Sequence, residues 1–219
     1  MIVQGIHLPD GEVHFRDTLM TLAQEGRSAF YPALAAALPL VTAHRRAIDI
    51  GAHVGLWARW LVDHFLCVEA FEPMAEHAEL FRRNVRKKCG LYQVALGEHF
   101  ALVGMKSFPQ DTGRAHVCGS GPIEMRTLDS YGFTDVDLIK IDVEGYELAV
   151  VRGAEHLRDA CRPGTRVVCP YEFQLDPKTG AVVVLQVRER IVPNDGSFRW
   201  DYPVHEVLIR ADGERPVDA

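Results

Sequence analysis

Three short segments hold side chains able to do chemistry. The first is Asp49-Ile50-Gly51-Ala52-His53-Val54-Gly55. Gly51 and Gly55 bracket a tight turn, and the absence of a side chain there lets backbone approach a ligand closely. A helix beginning at such a turn adds its free amides and the positive end of its dipole. The spacing Gly-x-x-x-Gly is neither the dinucleotide fingerprint nor the P-loop pattern. A strand-to-helix turn with no ligand reads from the same letters. The second segment is Phe71-Glu72-Pro73. An acidic residue roughly 20 positions beyond a glycine turn is placed to accept hydrogen bonds from ribose hydroxyls, so the pair points to an adenosine-containing ligand. Glu72 also reads as a helix cap with Pro73 at the first helical position. The third segment runs Leu138-Ile139-Lys140-Ile141-Asp142-Val143-Glu144-Gly145-Tyr146-Glu147. Its carboxylates could attract a cationic ligand, orient a substrate hydroxyl or hold a divalent metal. If the chain stays extended, Asp142 and Glu144 share one side. Glu144 or Glu147 could instead cap the next helix. Lys140 reads as a core lysine paired with a carboxylate.

These segments need elements to position them. Ala47–Ile50, Cys67–Phe71, Tyr92–Ala95, Asp137–Val143 and Arg166–Phe173 read as strands. Apolar residues at 54, 57, 58, 61, 62 and 65 form one helical stripe, and Met74, Ala78, Phe81 and Val85 form another. A further helix is expected from Glu147 to Cys161. Short strands are expected at 100–106 and 115–118. The alternation of strand and helix predicts an α/β domain with a mostly parallel sheet. Ligands of such sheets sit outside the carboxyl ends of the strands, where all three segments fall. Glu172 lies at the end of the fifth predicted strand.

Residues 1–45 read as an N-terminal extension. A hairpin is expected around Pro9-Asp10-Gly11-Glu12, with a short helix after Asp17 and a second from Ser28 to Pro39. The main domain is expected over 46–212, with a β-rich ending after Pro193-Asn194-Asp195-Gly196, and a frayed tail at 213–219.

Composition narrows the classes. An apolar content of 47% and a charged content of 25% suit a globular chain and argue against disorder or a coiled coil. A net charge of −6 gives no footprint for a polyanionic partner. Five cysteines without a Cys-x-x-Cys pair argue against a disulfide framework. The ten histidines show no zinc-binding spacing, so no metal ligands are predicted. No stretch reaches the roughly 20 apolar residues of a membrane span, and the first residues lack a signal-peptide pattern, so a cytoplasmic location is expected.

Taken in order, IDIGAHVG, FEP, VALGE, RTLDSYG and LIKIDVEGYELAVVRGAE resemble FkbM-type S-adenosylmethionine-dependent methyltransferases. The resemblance covers about residues 47–173, and its last block is the most specific. It implies a Rossmann-like class I methyltransferase sheet, S-adenosyl-L-methionine as methyl donor with S-adenosyl-L-homocysteine as product, and O-methylation of a small-molecule or sugar hydroxyl. By the same resemblance Asp49, Gly51, Ala52, His53 and Gly55 would cradle the methionine part, Glu72 with Pro73 the ribose, and Ala95 and Leu96 the adenine. Asp142 would face the sulfonium. Asp111-Thr112-Gly113-Arg114-Ala115 resembles a loop near the cleft, usually opened by Asn. Asp142 is the first candidate for proton acceptor, with Glu144 and Glu172 next; His53 or His116 could reach the cleft. A divalent metal is possible on this chemistry but not predicted. The other readings are a non-catalytic S-adenosylmethionine or nucleoside-binding module, a nicotinamide-dependent oxidoreductase on a similar sheet, and a methyltransferase acting on nucleic acid. The lack of an Asn/Asp-Pro-Pro-Tyr/Phe segment disfavours the last. Neither the acceptor nor the oligomeric state is written in the sequence.

Overall fold

The computed structural model describes residues 1–24, 38, 41 and 43–156, together with the backbone of strands at 161–168, 171–175, 182–186 and 208–209. The chain opens with a two-stranded hairpin, β1 (Ile2–Val3) and β2 (Ile6–His7). Its turn is at Gln4-Gly5, both at positive φ (51° and 73°), not at Pro9–Glu12 as the sequence suggests. Paired positive φ values match the twist of a tight hairpin. Residues 12–16 are not a strand. Glu12 Oε1 accepts the Phe15 N–H at 2.9 Å, and helix α1 (His14–Gln24) starts there, three residues before Asp17. Apart from Leu38, the predicted helix from Ser28 to Pro39 lies outside the described residues, as does the tail at 213–219.

The main sheet begins with β3 (Arg46–Ile50), followed by helix α2 (Ala58–His64) and strand β4 (Cys67–Phe71). Helix α3 (Ala75–Asn84) and strand β5 (Gly90–Tyr92) come next. Pro73 lies just before the N-cap Met74 and not at the first helical position, and Arg82 and Arg83 occupy the last turn of α3, where cations meet the negative dipole end. Short strands β6 (Ala95–Leu96), β7 (Ala101–Val103), β8 (Met105–Lys106), β9 (His116–Val117) and β10 (Ile123–Arg126) build two small sheets beside the main one. The strand expected at 92–95 is therefore divided between β5 and β6.

Strand β11 (Val136–Ile141) is buried along its whole length and leads to helix α4 (Glu147–Arg152). The helix ends at Gly153 rather than running to Cys161. A Cβ at Gly153 would lie 1.9 Å from the Gly97 carbonyl oxygen, so this close approach requires glycine. Cys161 opens β12 (Cys161–Val168), which is followed by β13 (Tyr171–Leu175), β14 (Val182–Gln186) and β15 (Leu208–Ile209). The single strand expected over 166–173 is thus two antiparallel strands, with Val168 opposite Glu172. Pro170 lacks the N–H that one continuous interior strand needs there.

The eight-stranded order is β15-β14-β13-β12-β11-β3-β4-β5. The five strands from β12 to β5 are mutually parallel, and the last three add antiparallel to the β12 edge. This is a Rossmann-like α/β sheet with a β-rich end. β3, β4 and β11 are mostly apolar and almost wholly buried, as parallel interior strands covered on both faces are, with the charged Asp49, Glu69, Asp137 and Lys140 among their buried residues. One core layer packs Ile48, Ile50, Phe71, Ile139 and Ile141 against Leu128 and Val150. The chain order reverses between β3 and β11, and the crevice at their carboxyl ends is where such sheets hold ligands. Among the described residues no helix is long and apolar enough to cross a membrane.

Candidate active site

The turn after β3 is stitched to both neighbouring strands. Gly51 and Ala52 donate their N–H groups to the Phe71 carbonyl at 3.0 Å, and Asp142 donates its N–H to the Ile50 carbonyl at 3.0 Å. Gly51 has φ +75°, and a Cβ there would lie 1.8 Å from the Asp142 carbonyl oxygen. Only glycine lets the β3 turn and the end of β11 come this close. Gly55 serves another purpose. A Cβ there would meet Val85 and Phe81 of α3 at 2.6 and 2.8 Å, so this glycine lets α3 pack on the turn.

Behind the turn lies a buried ion pair. Asp49 is 0% exposed and Lys140 4%. Lys140 Nζ is 3.1 Å from Asp49 Oδ1 and donates to the Gly51 carbonyl at 2.5 Å. Neither Asp49 oxygen has a hydrogen-bond partner of good geometry. Burial pushes the Asp49 carboxyl up, with Lys140 pulling against it. Burial draws the Lys140 ammonium down, but Asp49, Asp142 and Glu72 outweigh that and hold it above its ordinary value. Asp49 therefore faces Lys140 under the turn and does not line the crevice.

The crevice has about 540 Å³ of unfilled space, open solvent at its mouth included. Gly51, His53, Glu72, Pro73, Ala95, Leu96 and Asp142 line it. Ala52 and Gly55 do not. Glu72 is 4% exposed. Its Oε2 accepts the His53 N–H at 2.8 Å, and its Oε1 accepts the Met74 N–H at 2.8 Å, with His77 Nδ1 at 3.3 Å. Met74, not Glu72, is the N-cap of α3; Glu72 accepts the Met74 N–H just ahead of the helix while lining the crevice. Each carboxylate oxygen has two lone pairs, so Oε2 keeps one for a ligand. Val94, Ala95, Leu96 and Met105 give the crevice an apolar wall beside this acid.

The acids after β11 separate. Glu144 has φ +54° and Gly145 φ +96°, so the chain turns at once instead of staying extended. Asp142 lines the crevice; Glu144 does not. Glu144 is exposed as a residue, yet partial burial of its carboxyl, helped by Asp142, Glu147 and Asp111, pushes its pKa up to about 7. Glu147 accepts N–H groups from Val143 and Gly145 and closes the turn. Glu172 stands opposite Val168, which in turn pairs with Lys140, placing its backbone two strands from β11. Its side chain lies outside the description.

Two groups, His77 lining the crevice and Glu12 behind it, escape a reading of the letters. His77 is 2% exposed and touches Glu72. Its signal is spacing, because it follows Met74 by three and precedes Phe81 by four on the buried face of α3. Thr112 lies in the loop that resembles the family, but Glu12 sits alone after a turn. Glu12 is nevertheless 0% exposed, and its Oε2 accepts both the N–H (2.6 Å) and the hydroxyl (2.5 Å) of Thr112. His53 Nε2 lies 2.8 Å from the same hydroxyl. Burial holds the His53 imidazole well below its ordinary pKa, aided by nearby His77 and Lys140. Among the described residues no three His, Cys, Asp or Glu side chains gather as metal ligands.

Among solved structures, the chain is similar to the methyltransferase FkbM of Methylobacillus flagellatus, with 17% identity and a TM-score of 0.41. That match covers 75% of this chain and 37% of the other, so this chain spans well under half of that protein. A TehB-like SAM-dependent methyltransferase of Corynebacterium glutamicum matches at 12% identity and a TM-score of 0.41, covering 71% of this chain and 70% of that one. A complex of DhpI with SAH matches at 14% identity and a TM-score of 0.30, covering 78% and 77%. No curated protein sequence matches. The model of the methyltransferase FkbM domain matches residues 49–195, about two thirds of the chain and every crevice segment from the glycine turn onward. The chain belongs to the FkbM methyltransferase family.

Proposed function

We propose that this chain is an S-adenosylmethionine-dependent methyltransferase that acts on a hydroxyl oxygen of a small molecule or sugar. The observation that carries the reading is the Glu72 carboxylate: buried, held by two backbone N–H groups, and keeping an acceptor lone pair beside an apolar wall. An acid next to an apolar surface suits a ribose joined to a flat base. Glu72 would hold the ribose hydroxyls, Ala95 and Leu96 the base, and the Gly51 turn the remaining end. When bound, S-adenosylmethionine supplies a methyl group on a sulfonium sulfur, a leaving group that needs no further activation.

What remains for the protein is alignment and proton removal. Fixing the acceptor oxygen beside the methyl can contribute about 7–11 kcal/mol of the barrier. A hydroxyl must also give up its proton as its oxygen forms the new bond. Asp142 lines the crevice at the end of β11 and offers a carboxylate to take that proton. A carboxylate at this point supports an oxygen acceptor.

Calorimetric titration with S-adenosylhomocysteine tests the reading. The wild-type chain is expected to bind. Glu72→Gln, which retains the shape of the side chain, should weaken binding by about 10- to 100-fold, the worth of one hydrogen bond to a charged group. Equal affinity in the two proteins would remove Glu72 from the ribose and the reading with it.

A further inference from the structure

We infer that Glu12 of the N-terminal segment is a positioning residue which, through the Thr112 hydroxyl, holds His53 as a bare hydrogen-bond acceptor for the adenosine ligand. The ligand half of this inference rests on the function proposed above; the relay itself does not.

The directions of the hydrogen bonds follow from the partners. Glu12 receives three of them: Phe15 N–H on Oε1, and Thr112 N–H and hydroxyl on Oε2. That is the acceptor-only pattern of a carboxylate. The Thr112 hydroxyl has one proton, and Glu12 takes it. The Thr112 oxygen then has only lone pairs to offer His53 Nε2 at 2.8 Å, so Nε2 must carry the hydrogen. A neutral imidazole has one N–H, and Nδ1 is left as a lone pair. His53 Nδ1 is buried and has no partner in the protein.

The ring is also held in place. Phe15 of α1 stacks on it at 5.0 Å, and the edge of His77 approaches at 4.4 Å. The backbone of His53 sits at φ +50° with its N–H on Glu72. A buried acceptor facing no donor is a cost that a bound donor relieves. His53 shares Glu72 with the proposed ribose position, and the hydroxyl and ammonium groups of an adenosine-type methyl donor are O–H and N–H donors of the needed kind. The N-terminal segment is therefore a working part of the crevice: Glu12 sets the tautomer and Phe15 the ring plane.

The test is imidazole nitrogen NMR on the full chain with ring-labelled histidine, assigned by loss of the His53 signals in His53→Gln. The ligand-free wild type is expected to show the Nε2–H tautomer at neutral pH. Saturating S-adenosylhomocysteine should move the Nδ1 resonance. Thr112→Val keeps the N–H to Glu12 and removes the hydroxyl; it should release the tautomer and weaken S-adenosylhomocysteine by about 3- to 10-fold, one neutral hydrogen bond. Thr112→Ser should restore both properties, which a merely structural role for Thr112 would not require. An Nδ1–H tautomer or a charged ring in the wild type overturns the relay. An Nδ1 resonance indifferent to saturating ligand overturns the acceptor role. If the wild type binds no S-adenosylhomocysteine at all, the proposed function falls, while the ligand-free tautomer still decides the relay.

Discussion

Lys140→Met isolates what the buried ion pair under the glycine turn contributes. Asp49 is 0% exposed, and its compensation is the Lys140 ammonium at 3.1 Å. Removing one partner of such a pair costs about 3–5 kcal/mol. An independent bound agrees. The orphaned carboxyl can escape by taking up a proton, and from an ordinary value of 3.8 this costs about 4 kcal/mol at pH 7. For a chain of this length that is a fall in Tm of about 6–20 °C. Burial pushes the Asp49 carboxyl up in the wild type already, and loss of Lys140, which pulls it down, raises it further, so the folded variant holds the extra proton to higher pH than the folded wild type. The deficit of the variant should therefore shrink by up to about 1.4 kcal/mol for each unit of pH lowered from 7 toward 4. Urea unfolding at pH 7 and pH 5 measures both. The double variant Asp49→Asn/Lys140→Met should recover most of the loss, since no charge is left buried alone. A deficit below about 1 kcal/mol, or one equal at the two pH values, refutes the ionic reading.

Two further outcomes follow from the crevice. Gly51→Ala should lose S-adenosylhomocysteine binding and lower the unfolding midpoint, because its Cβ would stand 1.8 Å from the Asp142 carbonyl oxygen at φ +75°; circular dichroism on heating and calorimetry read the two effects. Glu144 has a folded pKa of about 7 against an ordinary 4.5, so its contribution to stability is present below 4.5 and is lost as pH rises through 7. Glu144→Gln should therefore gain stability on the wild type as pH rises from 5 to 8, measured by urea midpoints. A constant difference over that range would contradict the raised pKa.

The parallel-sheet half of the fold is legible because burial leaves marks in the letters. Strands β4 and β11 are largely apolar and stop just before Glu72 and Asp142, and the parallel order brings those ends to one crevice, while Asp49, inside β3, turns to Lys140 instead. Lys140, an ammonium inside an apolar strand, announces a buried carboxylate without naming Asp49. The glycines are less legible. Gly51 and Gly55 look alike in sequence, yet one admits the Asp142 carbonyl and the other the side chains of α3. Glu12 is invisible for a physical reason: an acid after Pro9-Asp10-Gly11 looks solvated, and only its pairing with Thr112, 100 positions away, makes it core. The turn at Gln4-Gly5 is equally quiet, because Pro9-Asp10-Gly11 is the stronger turn signal while Glu12 turns the segment after it into a helix start.

The side chain of Asn84 grips the hairpin, accepting the His7 N–H and donating to the His7 and Val54 carbonyls, just as Glu12 waits for Thr112. His7 and Glu12 can thus be seated only once residues 84 and 112, which follow them in the chain, have been made. Until residue 112 is made, Glu12 lacks the partner that buries it, so the Glu12–Thr112–His53 contact cannot form before that loop exists.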